Sequence, residues 1–207
     1  MQGHPAQLLK PRKKPNQQRS EATVRAIVEA AAQVLAVNRY EKTTTNHIAD
    51  RAGVSVGTIY EYFPNKDVLL SEVQSYWNDI CWEHAQSFEP APPRLSLEAL
   101  IELLVERWLS IFRLNPDLYS ALVHDLPTRG NKWKADARLQ QSVETVASLL
   151  SSHVDRLRVD NIDLAAEILV RGIQSYLDSL VAKQPSLVNE IGLSKRIAIL
   201  VAQLVIK

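Results

Sequence analysis

The 207-residue chain reads as an all-α protein of about nine helices. Three observations predict this. Apolar residues recur at three- and four-residue spacing along most of the chain. Prolines, glycines and asparagines cut that periodicity into segments of helical length. The period-two alternation of half-buried strands appears nowhere at useful length. Hydrophobic residues make up 46% of the sequence, enough for a sizeable core, and the pattern divides into a group of short N-terminal helices and a larger helical body.

Residues 1–18, with Pro5, Pro11, Pro15 and the run Pro11-Arg-Lys-Lys-Pro15, are expected to form a flexible basic arm, because proline resists helix and like charges repel. Helical periodicity begins after Ser20, a plausible cap, with Ile27, Ala30, Ala31, Val34 and Leu35 on one face. A second helix is expected over 43–52, capped by threonines and closed by Gly53, and a third over 56–62. Pro64 ends the third, and Asn65 can cap a long fourth helix from Lys66 to about Phe88. Pro90-Ala-Pro-Pro93 is the clearest loop. Beyond it, helical patterns cover about 96–114, 116–124, 131–158, 162–182 and 192–206. The expected division is an arm over 1–18, a head over 19–64 and a body over 65–207.

The net charge of +1 conceals an asymmetry. Residues 1–66 carry ten basic and five acidic groups, the remainder fourteen and eighteen. A basic head on an acidic body suits a polyanion-binding module. No apolar run approaches the roughly 20 residues that span a bilayer, and no signal-peptide pattern is evident, so a cytoplasmic protein with no membrane partner is expected. Cys81 is the single cysteine, which precludes an intrachain disulfide. No cofactor or metal is expected.

The informative stretch is Asn46-His-Ile-Ala-Asp-Arg-Ala-Gly-Val-Ser-Val-Gly-Thr-Ile-Tyr60. Two crossing helices need small residues at their contact, here Ala49 and Ala52. The reversal between them needs a residue tolerant of positive φ, Gly53. Val54 can bury the turn and Ser55 can cap the next helix. These slots, filled in order, describe a helix-turn-helix. On its second helix, Gly57 lets the backbone approach a phosphate, and the hydroxyls of Thr58, Tyr60 and Tyr62 can donate to phosphate oxygens. The methyls of Val56 and Thr58 can meet a thymine methyl. Lys66 adds a cation at the start of the next helix. With Thr44, Thr45 and Ser55 these residues form the candidate surface for double-stranded DNA. No arginine lies in 56–62 to fork onto guanine, so electrostatic and shape readout should matter.

The string Thr43-Thr44, Ile48-Ala49, Ala52-Gly53-Val54-Ser55, Gly57-Thr58-Ile59-Tyr60-Glu-Tyr62-Phe63, Asn65-Lys66 and Leu69-Leu70 resembles the TetR (tetracycline-repressor-like) family. The resemblance runs from about Arg19 to Leu70. It implies an N-terminal helix-turn-helix domain and a C-terminal helical domain for ligand binding and dimerisation. It also implies a homodimer built on the last two long helices, and a central pocket whose small-molecule effector generally lowers DNA affinity. Carried onto this chain, it implies phosphate contacts at Thr44, Tyr60, Tyr62 and Lys66, and base or sugar contacts at Val56, Gly57 and Thr58. One departure stands out: Arg39 precedes Tyr40 where the family usually has glycine, so Asn38 is the candidate for the left-handed cap of the first helix.

Four tryptophans are many for a chain with 6% aromatics. Trp77 lies on the helix joining head to body. With Trp108, Phe112 and Tyr119, and with Cys81, His84, Arg171 and Ser175 as sparse polar company, it makes a candidate lining for a mostly apolar effector. For the dimer, Leu169, Gly172, Ile173, Tyr176 and Leu180 stripe one late helix; Ile197, Leu200, Val201 and Leu204 stripe the last. The working expectation is a ligand-responsive repressor of a palindromic operator. The alternative is a DNA-binding protein without an effector, acting through a protein partner or architecturally. An enzyme is not expected. Gly53-Val-Ser55-Val-Gly57 matches the G-x-S-x-G hydrolase signature, but that motif needs a strand before the serine. Cys81 and His84 lack further metal ligands nearby, and His124-Asp125 reads as a solvated helix end.

Overall fold

The computed structural model describes residues 18–89, 95–126 and 132–207; the expected basic arm lies outside them, apart from Gln18. Among the described residues there are nine α-helices and no strand. They are α1 (Gln18–Lys42), α2 (Thr45–Ala52), α3 (Val56–Tyr62), α4 (Lys66–Gln86), α5 (Leu97–Arg113), α6 (Pro116–Ser120), α7 (Lys132–Ser151), α8 (Ile162–Lys183) and α9 (Leu193–Val205). None is long and apolar enough to cross a membrane. The all-α expectation of about nine helices therefore holds.

Several boundaries differ from the periodicity, each for a local reason. α1 starts at Gln18, ahead of the expected cap; the Ser20 hydroxyl lies 3.2 Å from the Tyr62 hydroxyl instead. α2 starts at Thr45 rather than Thr43, because Thr43 is fully buried and bonded back to Arg39 while Thr44 takes the cap. The segment expected as one helix over 116–124 is α6 followed by a π turn over Ala121–Asp125. α7 stops at Ser151, and a 3-10 turn, Val154–Arg156, follows it. Beyond that, Leu157 and Ile206 form an isolated antiparallel bridge.

The chain forms two compact units. The first holds the described residues of Met1–Ile80 and Asp117–Asn131. Its core is built from Ile27 and Leu35 of α1, Ile48 and Ala49 of α2, Ile59 and Phe63 around α3, and Leu69 and Val73 of α4. α1 packs on α2 and on the π turn, which contributes buried Ala121 and Leu122. The second unit holds the described residues of Cys81–Pro116 and Lys132–Lys207. There α5 packs on α9 and α7 on α8, and a 3-10 turn over Pro185–Asn189 packs against α8 and α5.

Short-range caps start these helices. Ser55 receives the Thr58 amide, Asn65 the Val68 amide, Ser96 the Ala99 amide and Asn161 the Leu164 amide, each satisfying a donor that the helix leaves unpaired. In the first turn of α5, the Glu98 carboxyl is held below the usual carboxylate range by its own backbone amide and by Arg156. Leu109 of α5 is fully buried. Leu109→Ala should therefore cost about 2–5 kcal/mol in urea unfolding, whereas truncation of the exposed Ile191 should cost almost nothing.

Candidate nucleic-acid interface

The turn between α2 and α3 is built as its residues dictate. Gly53 takes the left-handed conformation at φ 68°, ψ 31°. The Val54 amide then reaches back to the Ala49 carbonyl at 3.1 Å, closing the end of α2. Ser55, in extended conformation, receives the Thr58 amide at 3.0 Å. The serine of the hydrolase-like string is thus a helix cap, with its oxygen also 2.9 Å from the Thr58 hydroxyl.

α3 divides its residues sharply. Ile59, Tyr62 and the following Phe63 face the core, three- and four-residue neighbours on one side of a helix. Gly57, Tyr60 and Glu61 are exposed, and Val56 and Thr58 are half-buried beside them. At Gly57 an added Cβ would meet only the Ser55 hydroxyl at 3.5 Å, so the chain itself does not require glycine there. What the glycine leaves open is the outer surface. The Tyr60 hydroxyl lies 3.4 Å from that of Thr45, bridging the exposed sides of α3 and α2. Thr44 is exposed and receives the His47 amide.

Two expected phosphate ligands sit differently. Tyr62 is buried, and its hydroxyl pairs with Ser20, because position 62 falls on the same face as Ile59. Its three-residue spacing from an isoleucine was the signal for that placement. Lys66 is half-buried. Its ammonium stands 3.9 Å over the Tyr40 ring and donates to the Tyr40 carbonyl at 3.1 Å. The Tyr40 hydroxyl in turn donates to Asp67 at 2.8 Å. That bond, with burial and the Asp67 charge, pushes the Tyr40 phenol up to about 12. Lys66 thus clamps the start of α4 to the end of α1.

The last turn of α1 holds a residue whose role the sequence did not reveal. The left-handed position is Arg39, at φ 61° and ψ 170°, not Asn38. That region is essentially reserved for glycine and costs other residues about 1–3 kcal/mol. The guanidinium donates to Ser120 at 3.0 Å and to Asp125 at 2.9 Å, with a second approach to Asp125 of 2.7 Å. Asp125, expected as part of a solvated helix end, is an anchor. In α2, Arg51 donates to Gln33 at 2.6 Å, while Asn46 and His47 are exposed.

The remaining candidates divide between the units. Trp77 is buried and Tyr119 half-buried in the first. In the second, Cys81, His84 and Trp108 are half-buried and Phe112 is buried. His84 bonds Ser110 at 2.9 Å and meets the Phe88 ring edge-on. Arg171 and Ser175 are exposed on α8, Arg171 paired with Glu167. An open groove of about 300 Å³ on the second unit, lined by Glu98, Arg158, Ala202, Gln203, Ile206 and Lys207, contains none of the expected ligand residues. On α8, Tyr176 and Gly172 are exposed and Leu169, Ile173 and Leu180 half-buried; on α9, Leu200 and Leu204 are exposed. Ile197 and Val201 are buried within the subunit, on the side where α9 meets α5.

The family described as "Bacterial regulatory proteins, tetR family" matches residues 27–73, and "Tetracyclin repressor-like, C-terminal domain" matches residues 96–200. A fatty acid metabolism regulator protein of Bacillus subtilis (strain 168) is 50% identical over 46 residues, which is 22% of this chain and 24% of that protein. The match thus spans about a quarter of the relative. Among solved structures, a TetR-family regulator from Mesorhizobium loti superposes with a TM-score of 0.64 at 18% identity, covering 92% of this chain and all of the other. NalD, a repressor of a multidrug efflux pump in Pseudomonas aeruginosa, gives 0.62 at 20% identity over 92% of this chain and 99% of its own. FadR of Bacillus subtilis, solved with stearoyl-CoA, gives 0.59 at 19% identity over 87% and 98%. At these identities the structural likenesses establish the fold, and the family matches cover the helix-turn-helix and more than half of the chain. The chain belongs to the tetR family of bacterial regulatory proteins, as a DNA-binding transcription regulator with a ligand-binding C-terminal domain.

Proposed function

We propose that this regulator is a repressor that binds a palindromic operator in the cytoplasm as a homodimer and is released by a small, mostly apolar effector. It performs no chemistry of its own. The observation that carries the DNA-binding part is the outer face of α3. Gly57 is exposed with no internal reason to be glycine, and it is flanked by Val56, Thr58 and Tyr60. Thr44 and Thr45 stand at the start of α2 on the adjoining surface. Lys66 serves chiefly to place α4, its ammonium held by the Tyr40 ring and carbonyl. Tyr62 is left out of the proposed contact set.

The proposed dimer rests on apolar side chains left in water. Leu164, Ile168 and Tyr176 of α8 and Ile199, Leu200 and Leu204 of α9 are all at least half exposed, more apolar surface than a lone subunit normally leaves on two helices. With Leu169, Gly172, Ile173 and Leu180 at the margin of the α8 stripe, they form the proposed interface. Two subunits joined this way would present two reading heads about one DNA turn apart.

For the effector, support comes from α4. The Trp77 indole nitrogen and the Gln74 amide oxygen, one helical turn apart, are buried without a hydrogen-bond partner among the described residues. Unsatisfied buried polar atoms are costly, and a ligand's polar group beside an apolar body would satisfy them. Trp77 and Tyr119 remain proposed ligand contacts within the first unit, and Cys81, His84, Trp108 and Phe112 within the second. Arg171 and Ser175 are excluded, since both are exposed beside the apolar stripe of α8.

Three outcomes are expected. Gly57→Ala should raise the melting temperature, since alanine favours helix by about 1 kcal/mol, yet weaken binding to a duplex selected from a random library. Equal or tighter binding by this variant would remove α3 from the interface. Leu200→Glu together with Leu204→Glu should convert a dimer into a monomer in light scattering and abolish tight operator binding; a monomeric wild-type chain at micromolar concentration would refute the arrangement. Stearoyl-CoA, chosen for its long apolar acyl chain, should quench tryptophan fluorescence and release the selected duplex. Trp77→Phe, which removes the indole N–H and keeps an aromatic side chain, should weaken ligand-dependent release of the duplex severalfold. No quenching by this probe or by shorter acyl and aromatic compounds would leave DNA binding standing and reject the effector.

A further inference from the structure

We infer that Arg39 is a positioning residue that makes DNA affinity depend on the conformation of Ser120–Asp125. Arg39, Ser120 and Asp125 all lie in the first unit. Among the described residues Arg39 is the non-glycine residue with positive φ. A residue persists in such a conformation only where its surroundings over-determine it. Here the surroundings are specific. The guanidinium donates to the Ser120 hydroxyl at 3.0 Å and grips Asp125 at 2.7 and 2.9 Å, one contact to each carboxylate oxygen. Ser120 is 1% exposed. Asp125 closes the π turn Ala121–Asp125, an infrequent geometry that often marks functional sites.

From Arg39 and its neighbour Tyr40, bonds run to the starts of α2 and α4. The Arg39 carbonyl receives the Thr43 hydroxyl at 2.7 Å and the Thr43 amide at 3.1 Å. Thr43 is fully buried, and Thr44 next to it caps α2. Tyr40, the neighbour on the other side, holds Lys66 and Asp67 at the start of α4 through its ring, carbonyl and hydroxyl. The side chain of Arg39 therefore ends on Ser120 and Asp125, while its main chain sets the start of α2.

If Ser120 and Asp125 move, two responses are open to the turn. It follows them, or it lets go and relaxes to an ordinary negative φ, rotating Thr43 out of its bonds. Either response re-aims α2 and hence α3. A turn with these two responses would be an element of the kind through which coupling passes between sites. The segment is placed to receive such a signal. It belongs to the first unit, yet in sequence it lies between α5 and α7 of the second.

The test is a double-mutant cycle read in DNA affinity, with the duplex selected on the wild-type chain as probe. Asp125→Asn keeps the shape of the anchor and removes its charge. In the wild-type background it should weaken binding at least about fivefold. In an Arg39→Gly background, where the tether is gone and the backbone conformation is unstrained, the same change should alter affinity by less than about twofold. Ser120→Ala should repeat the pattern and serves as the second arm if Asp125→Asn folds poorly. Thermal melts of all variants separate coupling from unfolding, because a purely structural anchor would lower stability and affinity together. Equal losses in both backgrounds, or no loss in the wild-type background, would overturn the coupling.

Discussion

Between α1 and α2 the chain reverses within two residues, and the position of everything that follows in the head depends on how that reversal is held. Among the described residues of the head, two such turns are held differently. Between α2 and α3 the left-handed position is Gly53, which adopts it without steric cost and needs no support. In the last turn of α1, just before the chain enters α2, it is Arg39, which has a Cβ and adopts a conformation natural only to glycine. The first turn is fixed by local chemistry. The second is fixed by a guanidinium that reaches residues far along the chain, and that dependence allows it to be altered from elsewhere.

The same economy governs the charges of the head. Its basic character suggests a surface of free cations, yet Arg51 is drawn to Gln33, Arg25 to Glu29, Lys66 onto Tyr40 and Arg39 to Asp125. Cations spent on holding the head together are less available for phosphates. The outer face of α3 offers a glycine, hydroxyls and a valine rather than an arginine fork. A surface of this kind suits close backbone approach and groove shape more than bidentate base recognition.

In the second unit, α8 and α9 are apolar on more than one side. α8 commits Ala165, Ala166, Val170, Leu177 and Val181 to the subunit core, and α9 commits Leu193, Ile197, Ala198, Val201 and Val205. The core therefore accounts for one face of each helix and leaves Ile168, Leu200 and Leu204 in solvent. An amphipathic helix needs one apolar face; a second must be covered by something else or remain a liability. A second copy of the chain is the proposed cover.

Legibility followed the range over which each feature is determined. The helix-turn-helix, the Gly53 reversal and the caps at Ser55 and Asn65 could be read directly, since each involves groups three or four residues apart. The all-α class followed from the same short period. The apolar stripes of α8 and α9 were legible as stripes, but not which residues the subunit keeps for itself. Ile197 and Leu200 are equally apolar, and only the packing of α5 on α9 separates them. Tyr62 looked like Tyr60 until Ser20 and the core of α1 claimed it. Arg39 and Asp125 stand 86 residues apart and carry no periodicity that links them. The sequence by itself determined which helices form and where the chain turns, because those choices are settled by neighbours along the chain. Tertiary structure alone decided which side chains remain outside to meet a partner, because burial and ion pairing are settled by neighbours in space.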